Sequence, residues 1–311
     1  MCYYKMDFLA EVKKVRPNIK PNSAAAYATS LRLLAPDDAS SLKFLLDTKT
    51  ILGKLERYKH TTRRNYLNAI VVVMQGMEDV DKALKEYEKL RDGYNEEYAE
   101  QVQSHTKTDR QKAIWVDWVD YLEIVDKLRD EVKGFKPRQW DDKQKMAYQD
   151  YLLALFYSKF PLRNDLSETK IITKKQYNQL TEEEKKKANF VVKHHSNRYF
   201  LLLNAYKTSA KYGEKKLELD GVVLKALRKW LRHSGSDYLF INTQGQPLSS
   251  NGITKILNRI GRRFRGKPFG SSILRHSYLS HKYGKVNQEK EKDADIMGHS
   301  ISTQSDYVKK D

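Results

Sequence analysis

Hydrophobic residues recur at helical spacing through most of the first hundred positions. The segment AAAYATSLRLLA follows Asn22 and Ser23, polar residues typical of a helix start, and it ends before Pro36. A second segment of similar pattern starts at Thr61 and continues into an apolar stripe. Residues 79–103 are rich in Glu, Lys and Tyr and contain no proline, which predicts a long exposed helix. A polar stretch then interrupts the pattern and marks a domain boundary.

The pattern beyond that stretch predicts a second domain with both helices and strands. Two long amphipathic helices are followed by three strand-like segments: residues 115–132 and 142–159, then residues 189–193, 198–205 and 215–219. Helical spacing returns after Asp220, apart from a short strand-like segment at residues 237–241. We therefore predict an α+β protein, mainly α with a small antiparallel β-sheet. Its parts are an all-helical domain over residues 1–104 and a second domain over residues 105–311.

The chain is strongly basic, with 58 Lys and Arg against 40 Asp and Glu and a net charge of +18. The excess is concentrated in the second domain. Residues 1–104 hold 17 basic and 15 acidic side chains, whereas residues 105–311 hold 41 and 25. Such an excess favours a polyanionic partner, although it carries no information about the fold.

Several classes of protein are excluded by composition. Cys2 is the single cysteine, so neither a disulfide framework nor a cysteine-based metal site is expected. The longest apolar runs are too short to cross a bilayer. His194 and His195 have no further metal ligands nearby in sequence, and we predict no metal site. Because the N-terminus has no basic-then-apolar signal pattern, we expect an intracellular protein that is neither secreted nor bound to a membrane.

The end of the chain carries the residues with the clearest chemistry. Arg275 stands in Leu-Arg-His, His299 follows a glycine, and Tyr307 comes eight positions after His299. Cleavage of a phosphodiester without a metal needs arginines that hold the phosphate, a donor that braces it and a hydroxyl that attacks it. A tyrosine hydroxyl has an ordinary pKa of about 10, so its attack needs nearby positive charge or a base.

Two upstream motifs complete the set. Arg163 lies in Pro-Leu-Arg-Asn-Asp after an apolar helix, and Lys207 lies in Asn-Ala-Tyr-Lys-Thr beside a predicted strand. With these five residues in this order, the chain resembles the tyrosine recombinases (the phage-integrase family), which share their catalytic scheme with type IB topoisomerases. The resemblance covers nearly the whole chain, as a helical core-binding domain followed by a catalytic domain. The sequence Pro-Leu-Arg-Asn-Asp around Arg163 is similar to that of the branch found in large DNA viruses and their mobile elements.

The resemblance implies a role for each of the five residues. Arg163 and Arg275 would clamp the scissile phosphate, and His299 would donate a hydrogen bond to it. Lys207 would protonate the leaving 5′-oxygen, and Tyr307 would form a covalent 3′-phosphotyrosine. A free 5′-hydroxyl of a second strand would then rejoin the DNA, with no metal, ATP or other cofactor. The family acts on double-stranded DNA as a tetramer that joins two sites, which implies the same partner and assembly here.

One position departs from the family pattern. Three residues before Arg275 the family has a His or Lys that acts on the proton of the tyrosine, whereas this chain has Ser272, whose hydroxyl is a poor base. His276 or His281 could compensate. The acidic partner expected shortly after the first arginine is also displaced, with Asp165 two residues beyond Arg163 and Glu168 five.

A basic and aromatic stretch in the first domain is a further candidate for DNA contact. It falls at a predicted helix start, where backbone N–H groups and side chains can meet phosphate together. The alternative is an ordinary solvated basic face. The candidate residues are Lys59, His60, Thr62, Arg63, Arg64 and Tyr66.

The predicted function is that of a site-specific DNA recombinase or integrase. Two rivals share this chemistry: a type IB-like topoisomerase, which would relax supercoils without a specific site, and a hairpin telomere resolvase. A third is a DNA-binding relative that has lost activity, which Ser272 would favour. A covalent adduct between protein and DNA separates the active readings from the inactive one.

Overall fold

The protein is described here from a computed structural model that covers residues 6–136, 140–195, 197–300, 303–304 and 307. The chain forms two compact units, Met1–Thr106 and Lys107–Asp311, which divide two residues beyond the predicted boundary. Most of the described residues are helical, and a small sheet belongs to the second unit. Over the described residues, no helix is both long and apolar enough to cross a membrane.

The first unit is built from helices packed around α4. Its elements are α1 (Phe8–Val15), α2 (Pro21–Leu34), a 3₁₀ turn (Leu42–Leu46), α3 (Thr48–Leu55), α4 (His60–Met74) and α5 (Asp81–Gln103). The last turns of α4 are buried on all sides, as expected for a central helix with an unbroken apolar run. The hydroxyl of Tyr87 on α5 donates to the carbonyl of Leu45 at 2.9 Å, which ties α5 to the 3₁₀ turn.

The helix α2 starts earlier than the sequence pattern predicts. Pro21 is its first residue, so Asn22 and Ser23 lie inside the first turn and do not cap it. Proline is favoured at the first helical position, because the N–H group that it lacks would have no helical partner there. The proline, rather than the two polar residues after it, therefore marks the start.

The second unit places helices before and after a small sheet. Its first elements are α6 (Asp109–Ile114), α7 (Trp118–Val132), α8 (Asp142–Lys159), β1 (Lys170–Thr173), α9 (Lys174–Gln179) and α10 (Glu182–Lys186). They are followed by β2 (Phe190–His195), β3 (Arg198–Leu203), α11 (Ser209–Tyr212), β4 (Lys215–Leu219), α12 (Gly221–Leu231), α13 (Ser250–Arg265) and α14 (Ser271–Met297).

The helix α8 forms the centre of the second unit and has the predicted bounds. It starts at a capping box made by Asp141 and Gln144, and every residue from Tyr151 to Tyr157 is buried. The amide of Gln149, also buried, donates to the carbonyl of Ile241 and accepts from its N–H, both at 2.8 Å. This pair of hydrogen bonds joins α8 to the segment that contains Ile241.

The sheet is mixed, which corrects the prediction of an antiparallel one. Its order is β1-β2-β3-β4, and β2, β3 and β4 are antiparallel as predicted, whereas β1 runs parallel to β2. The two short helices between β1 and β2 supply the long crossover that parallel pairing needs. The predicted strand at residues 237–241 contributes only isolated bridges, of which Lys170 with Tyr238 is one. The mainly helical fold with a small sheet is confirmed.

Candidate active site

The loop that carries Arg163 lies between α8 and β1 and is hydrogen-bonded to α8. The buried hydroxyl of Tyr157 donates to the carbonyl of Arg163 at 2.8 Å. The neighbouring Asn164 donates from Nδ2 to the carbonyl of Ser250 and to Oγ1 of Thr254, both at 2.9 Å, which fixes the loop to the start of α13. The backbone of Arg163 is thus fixed while its side chain is exposed to solvent.

Arg275 lies in the second turn of α14, and its charge interacts with those of Arg163 and Asp165 in this loop. Burial lowers the pKa of its guanidinium, and the positive charge of Arg163 lowers that pKa further, whereas Asp165 raises it. The buried Nε of Arg275 has no hydrogen-bond partner among the described residues. The helix begins after Gly270, which has no side chain to cap the first turn. The first-turn N–H groups therefore add positive potential near Arg275.

The charges of both arginines act on the carboxyl of Asp165. Burial raises the pKa of its carboxyl, while the charges of Arg163, Arg275 and Lys215 lower it. The charges of two guanidiniums and of Lys215 act on one carboxylate, so positive charge exceeds negative charge here, and the guanidiniums repel each other unless an anion joins them. Because guanidinium forks match the oxygens of phosphate, the arrangement is suited to a phosphate group. We call Arg163, Asp165 and Arg275 the arginine cluster.

The turn that carries Lys207 lies between β3 and α11. Lys207 is exposed and two residues beyond Ala205, where the chain has left the strand. Lys215, at the start of β4, places Nζ 4.8 Å from the ring centre of Tyr206 and also acts on the charge of Asp165. Sequence reasoning did not place Lys215 at the arginine cluster. The crowding of lysines between β3 and β4 was the signal that could have suggested it.

His299 and Tyr307 form a separate pair. Their rings are stacked, with centroids 5.6 Å apart and planes 24° apart, and Tyr307 is 69% exposed. Gly298, at a positive φ of 65°, ends α14 just before His299, as glycine readily does in that conformation. At about 1.5 Å per residue, the part of α14 between Arg275 and Gly298 is about 35 Å long.

The structure therefore brings together some of the predicted residues and not others. Arg163, Asp165 and Arg275 form one cluster, and His299 with Tyr307 forms another at the far end of α14. Ser272 and His276 lie on the first two turns of the same helix, both exposed. Among the described residues, no group of three or more His, Cys, Asp or Glu side chains is placed to hold a metal ion.

Two of the predicted DNA contacts in the first unit, Tyr66 and Arg63, take part in the packing of the fold. Tyr66 is 6% exposed and stacks on Tyr58 with centroids 4.9 Å apart, and burial raises the pKa of Tyr66 to about 12. The guanidinium of Arg63 donates to the carbonyl of Tyr58 at 2.7 Å and to the carbonyl of Glu56, so it holds the turn after α3. Tyr66 is a core residue and Arg63 braces a turn; contact of either with DNA stays a prediction.

The other predicted contacts in this stretch lie nearer the surface of the first unit. His60 places Nδ1 2.7 Å from a carboxylate oxygen of Glu97, and the guanidinium of Arg64 lies 4.0 Å from the ring centre of Tyr98. Lys59 is exposed at the start of α4, and Thr62 is half-buried in its first turn. These four residues, Lys59, His60, Thr62 and Arg64, stay candidates for a DNA-facing edge.

Comparison with known proteins gives fold neighbours only. No protein-family model and no curated protein matches the chain. Among solved structures, XerA recombinase is 11% identical, covers 98% of this chain and 93% of its own, and has a TM-score of 0.35. The XerH site-specific recombinase bound to difH substrate, in a pre-cleavage complex, is 15% identical with coverages of 95% and 80% and a TM-score of 0.44. Its post-cleavage complex on palindromic difH is 14% identical with coverages of 95% and 90% and a TM-score of 0.35.

XerA is named a recombinase and XerH a site-specific recombinase, and at these identities the likeness of this chain to them concerns the fold alone.

Proposed function

We propose that the protein is a site-specific DNA recombinase or integrase that cleaves and rejoins strands through Tyr307. The arginine cluster is the observation that carries the proposal. Arg163 and Arg275 come from distant parts of the chain, yet both act on the charge of the same partly buried carboxylate. Two guanidiniums held close together repel each other, which is unfavourable. A phosphate bound between them would relieve this repulsion.

In the proposed reaction the two arginines hold the scissile phosphate and stabilise the charge that develops on its non-bridging oxygens. The oxygen of Tyr307 forms a bond to phosphorus while the bond from phosphorus to the 5′-oxygen breaks. Lys207 supplies a proton to that leaving oxygen, and the phenol proton of Tyr307 passes to solvent. His299 donates to the phosphate. Attack by a 5′-hydroxyl on the phosphotyrosine reverses these steps and rejoins the DNA.

This chemistry requires a change in α14, because Tyr307 and the arginine cluster lie toward opposite ends of that helix. We propose that α14 bends at Gly284 when DNA is bound, which would carry His299 and Tyr307 back toward Arg275. Gly284 lies in an exposed part of the helix, and a side chain added there would meet nothing within 4 Å. Glycine weakens a helix interior by about 1 kcal/mol relative to alanine, so it is a favourable place for a bend.

The proposed partner is double-stranded DNA, held mainly through its phosphates. The net charge of +18 suits such binding, and affinity should fall steeply as salt rises. Strand exchange between two sites would need a tetramer. The exposed basic residues of the first unit would contribute to DNA binding. The compartment would be the one that holds the target DNA.

The test of the proposed function is a covalent adduct on nicked duplex DNA. Cleavage beside the nick releases a short fragment, which prevents rejoining and traps the protein on the strand. The unmodified protein should form a band that survives denaturation, whereas Tyr307→Phe should bind DNA and form none. A persistent adduct in Tyr307→Phe would refute the assignment of the nucleophile.

A second candidate function is DNA binding without cleavage. Two observations favour it: Ser272 stands where a proton acceptor is expected, and α14 separates Tyr307 from the arginines. This reading predicts salt-sensitive DNA binding and no adduct with any nicked duplex. Supercoil relaxation without a preferred site would instead favour the topoisomerase reading.

A further inference from the structure

Asn189 joins the two loops that carry Arg163 and Lys207. It stands immediately before β2 and is 5% exposed, which is unusual for an amide side chain. On one side of it runs the loop between α8 and β1, and on the other the turn that follows β3.

The side-chain amide of Asn189 uses its full hydrogen-bonding capacity on these two loops. Its Nδ2 donates to the carbonyl of Asp165 at 2.7 Å and to the carbonyl of Ala205 at 3.2 Å. Its Oδ1 accepts from the backbone N–H of Asn204 at 2.9 Å and of Ala205 at 2.8 Å. An amide group offers two donor hydrogens and two acceptor lone pairs, and all four are engaged.

The partners lie close to the residues proposed to do the chemistry. Asp165 follows Arg163 by two residues, and Ala205 precedes Lys207 by two residues. Both segments are irregular at these points, so ladder hydrogen bonds do not set their separation. The backbone carbonyl of Asn189 accepts from the N–H of Lys170 at 2.9 Å, which anchors the backbone of Asn189 to the first residue of β1.

We propose that Asn189 is a positioning residue that sets the separation between the phosphate-holding Arg163 and the proton-donating Lys207. The inference rests on the proposed function. Removing the amide leaves four backbone groups without their partner and lets the two loops move independently. A displacement of about 1 Å can cost about 100-fold in rate, because the reacting groups lose their alignment.

The experiment compares cleavage of two nicked substrates by matched variants. One substrate is ordinary DNA. The other carries sulfur in place of the bridging 5′-oxygen, and a thiolate leaves without needing a proton, so its cleavage does not depend on Lys207. The variants are Asn189→Ala, Asn189→Asp and Lys207→Ala. Gln149→Ala is the control, since it also removes a buried amide with two backbone hydrogen bonds, away from both loops.

Each variant has a distinct expected result. Asn189→Ala should form the adduct about 100-fold more slowly on ordinary DNA and recover in part on the sulfur substrate, because only the Lys207 defect is bypassed. Asn189→Asp still accepts from the N–H groups of Asn204 and Ala205 but cannot donate to the carbonyls of Asp165 and Ala205. The turn of Lys207 keeps its accepted bonds while the Arg163 loop loses its bond to residue 189, so the defect should recover little. Lys207→Ala should recover most. Gln149→Ala should cleave both substrates at nearly the unmodified rate.

The result that overturns the inference is specific. It is overturned if Asn189→Ala cleaves ordinary DNA within about 2-fold of the unmodified protein, or if Gln149→Ala shows the same loss and the same recovery. Amide hydrogen exchange at Asn204 and Ala205 gives a readout without catalysis: both should exchange faster in Asn189→Ala than in the unmodified protein, and unchanged protection also refutes it. Absence of any adduct from the unmodified protein would instead refute the proposed function, and this inference with it.

Discussion

Replacing Tyr157 by phenylalanine tests whether the backbone under Arg163 has to be fixed for cleavage. The ring of Tyr157 is fully buried in α8, and phenylalanine nearly keeps its volume, so the change creates no cavity. It removes a hydrogen bond of 2.8 Å to the carbonyl of Arg163 and a longer one of 3.4 Å to Oδ1 of Asn164. Burial raises the pKa of Tyr157 well above its ordinary value, so the hydroxyl stays protonated and donates at any working pH.

The magnitude of the effect follows mainly from the shorter of these bonds, to the carbonyl of Arg163. A hydrogen bond of this kind contributes about 1 kcal/mol, and a buried carbonyl left without a partner costs about 1–3 kcal/mol. Because the Arg163 loop reaches solvent, it can relax, and we expect the lower end of that range. If the lost free energy raises the activation barrier because Arg163 is less well positioned in the transition state, adduct formation slows about 5- to 10-fold. The melting temperature should fall by about 2–4 °C.

A matched control separates this effect from general destabilisation. Tyr121→Phe removes an equally buried hydroxyl that donates to the carbonyl of Ala154 at 2.7 Å, within the same unit and away from Arg163. Both variants should lose similar stability, measured by thermal unfolding, and only Tyr157→Phe should slow adduct formation on nicked duplex. Equal slowing in both variants, or unchanged cleavage by Tyr157→Phe, would refute the reasoning.

Three other expectations concern the same site. Arg275→Ala should abolish most adduct formation while DNA binding falls no more than in Arg198→Ala, which removes an equal charge paired with Glu218; cleavage at the unmodified rate would show that Arg275 does not hold the phosphate. Gly284→Ala should slow the adduct about 2- to 5-fold by stiffening α14. Gly93→Ala, at an equally open position in α5, should not, and equal rates in the two variants would contradict the bend. Burial raises the pKa of Asp165, so the stability that its protonation adds is complete below the ordinary value of 3.8 and is lost as pH rises through the raised pKa. Melting temperatures of Asp165→Asn should lack this pH dependence, and a parallel pH profile in both proteins would contradict it.

Much of the helical framework could be predicted because local signals decide it. The helix α8 has the predicted bounds since Asp141 caps it and Phe160 ends a run without proline or glycine. The strand β1 was missed because its four residues, KIIT, are too short to show alternation, and its partner is reached only through two intervening helices. Nothing local signals a parallel pairing of that kind.

The candidate site likewise contains residues that local sequence reveals and residues that only the fold reveals. The sequence motifs identified Arg163 and Arg275, whose charges act on the same carboxyl in the fold. The motifs did not reveal Asn189 or Tyr157, because the roles of these residues depend on contacts that the sequence does not show. Tyr66 looked like a DNA contact because it stands among basic residues, whereas helical periodicity turns its ring into the core. Three residues close together along the chain were expected to be close in space, yet the continuous helix α14 separates Arg275 from His299 and Tyr307.

The chemical identity of the protein–DNA linkage tests the central claim most directly. The unmodified protein would be trapped on nicked duplex, digested with protease and nuclease, and its nucleotide-bearing peptide sequenced by mass spectrometry. The account predicts a single nucleotide joined through its 3′-phosphate to Tyr307. A nucleotide on another residue, a linkage through a 5′-phosphate, or no linked peptide from protein that binds the duplex would contradict it.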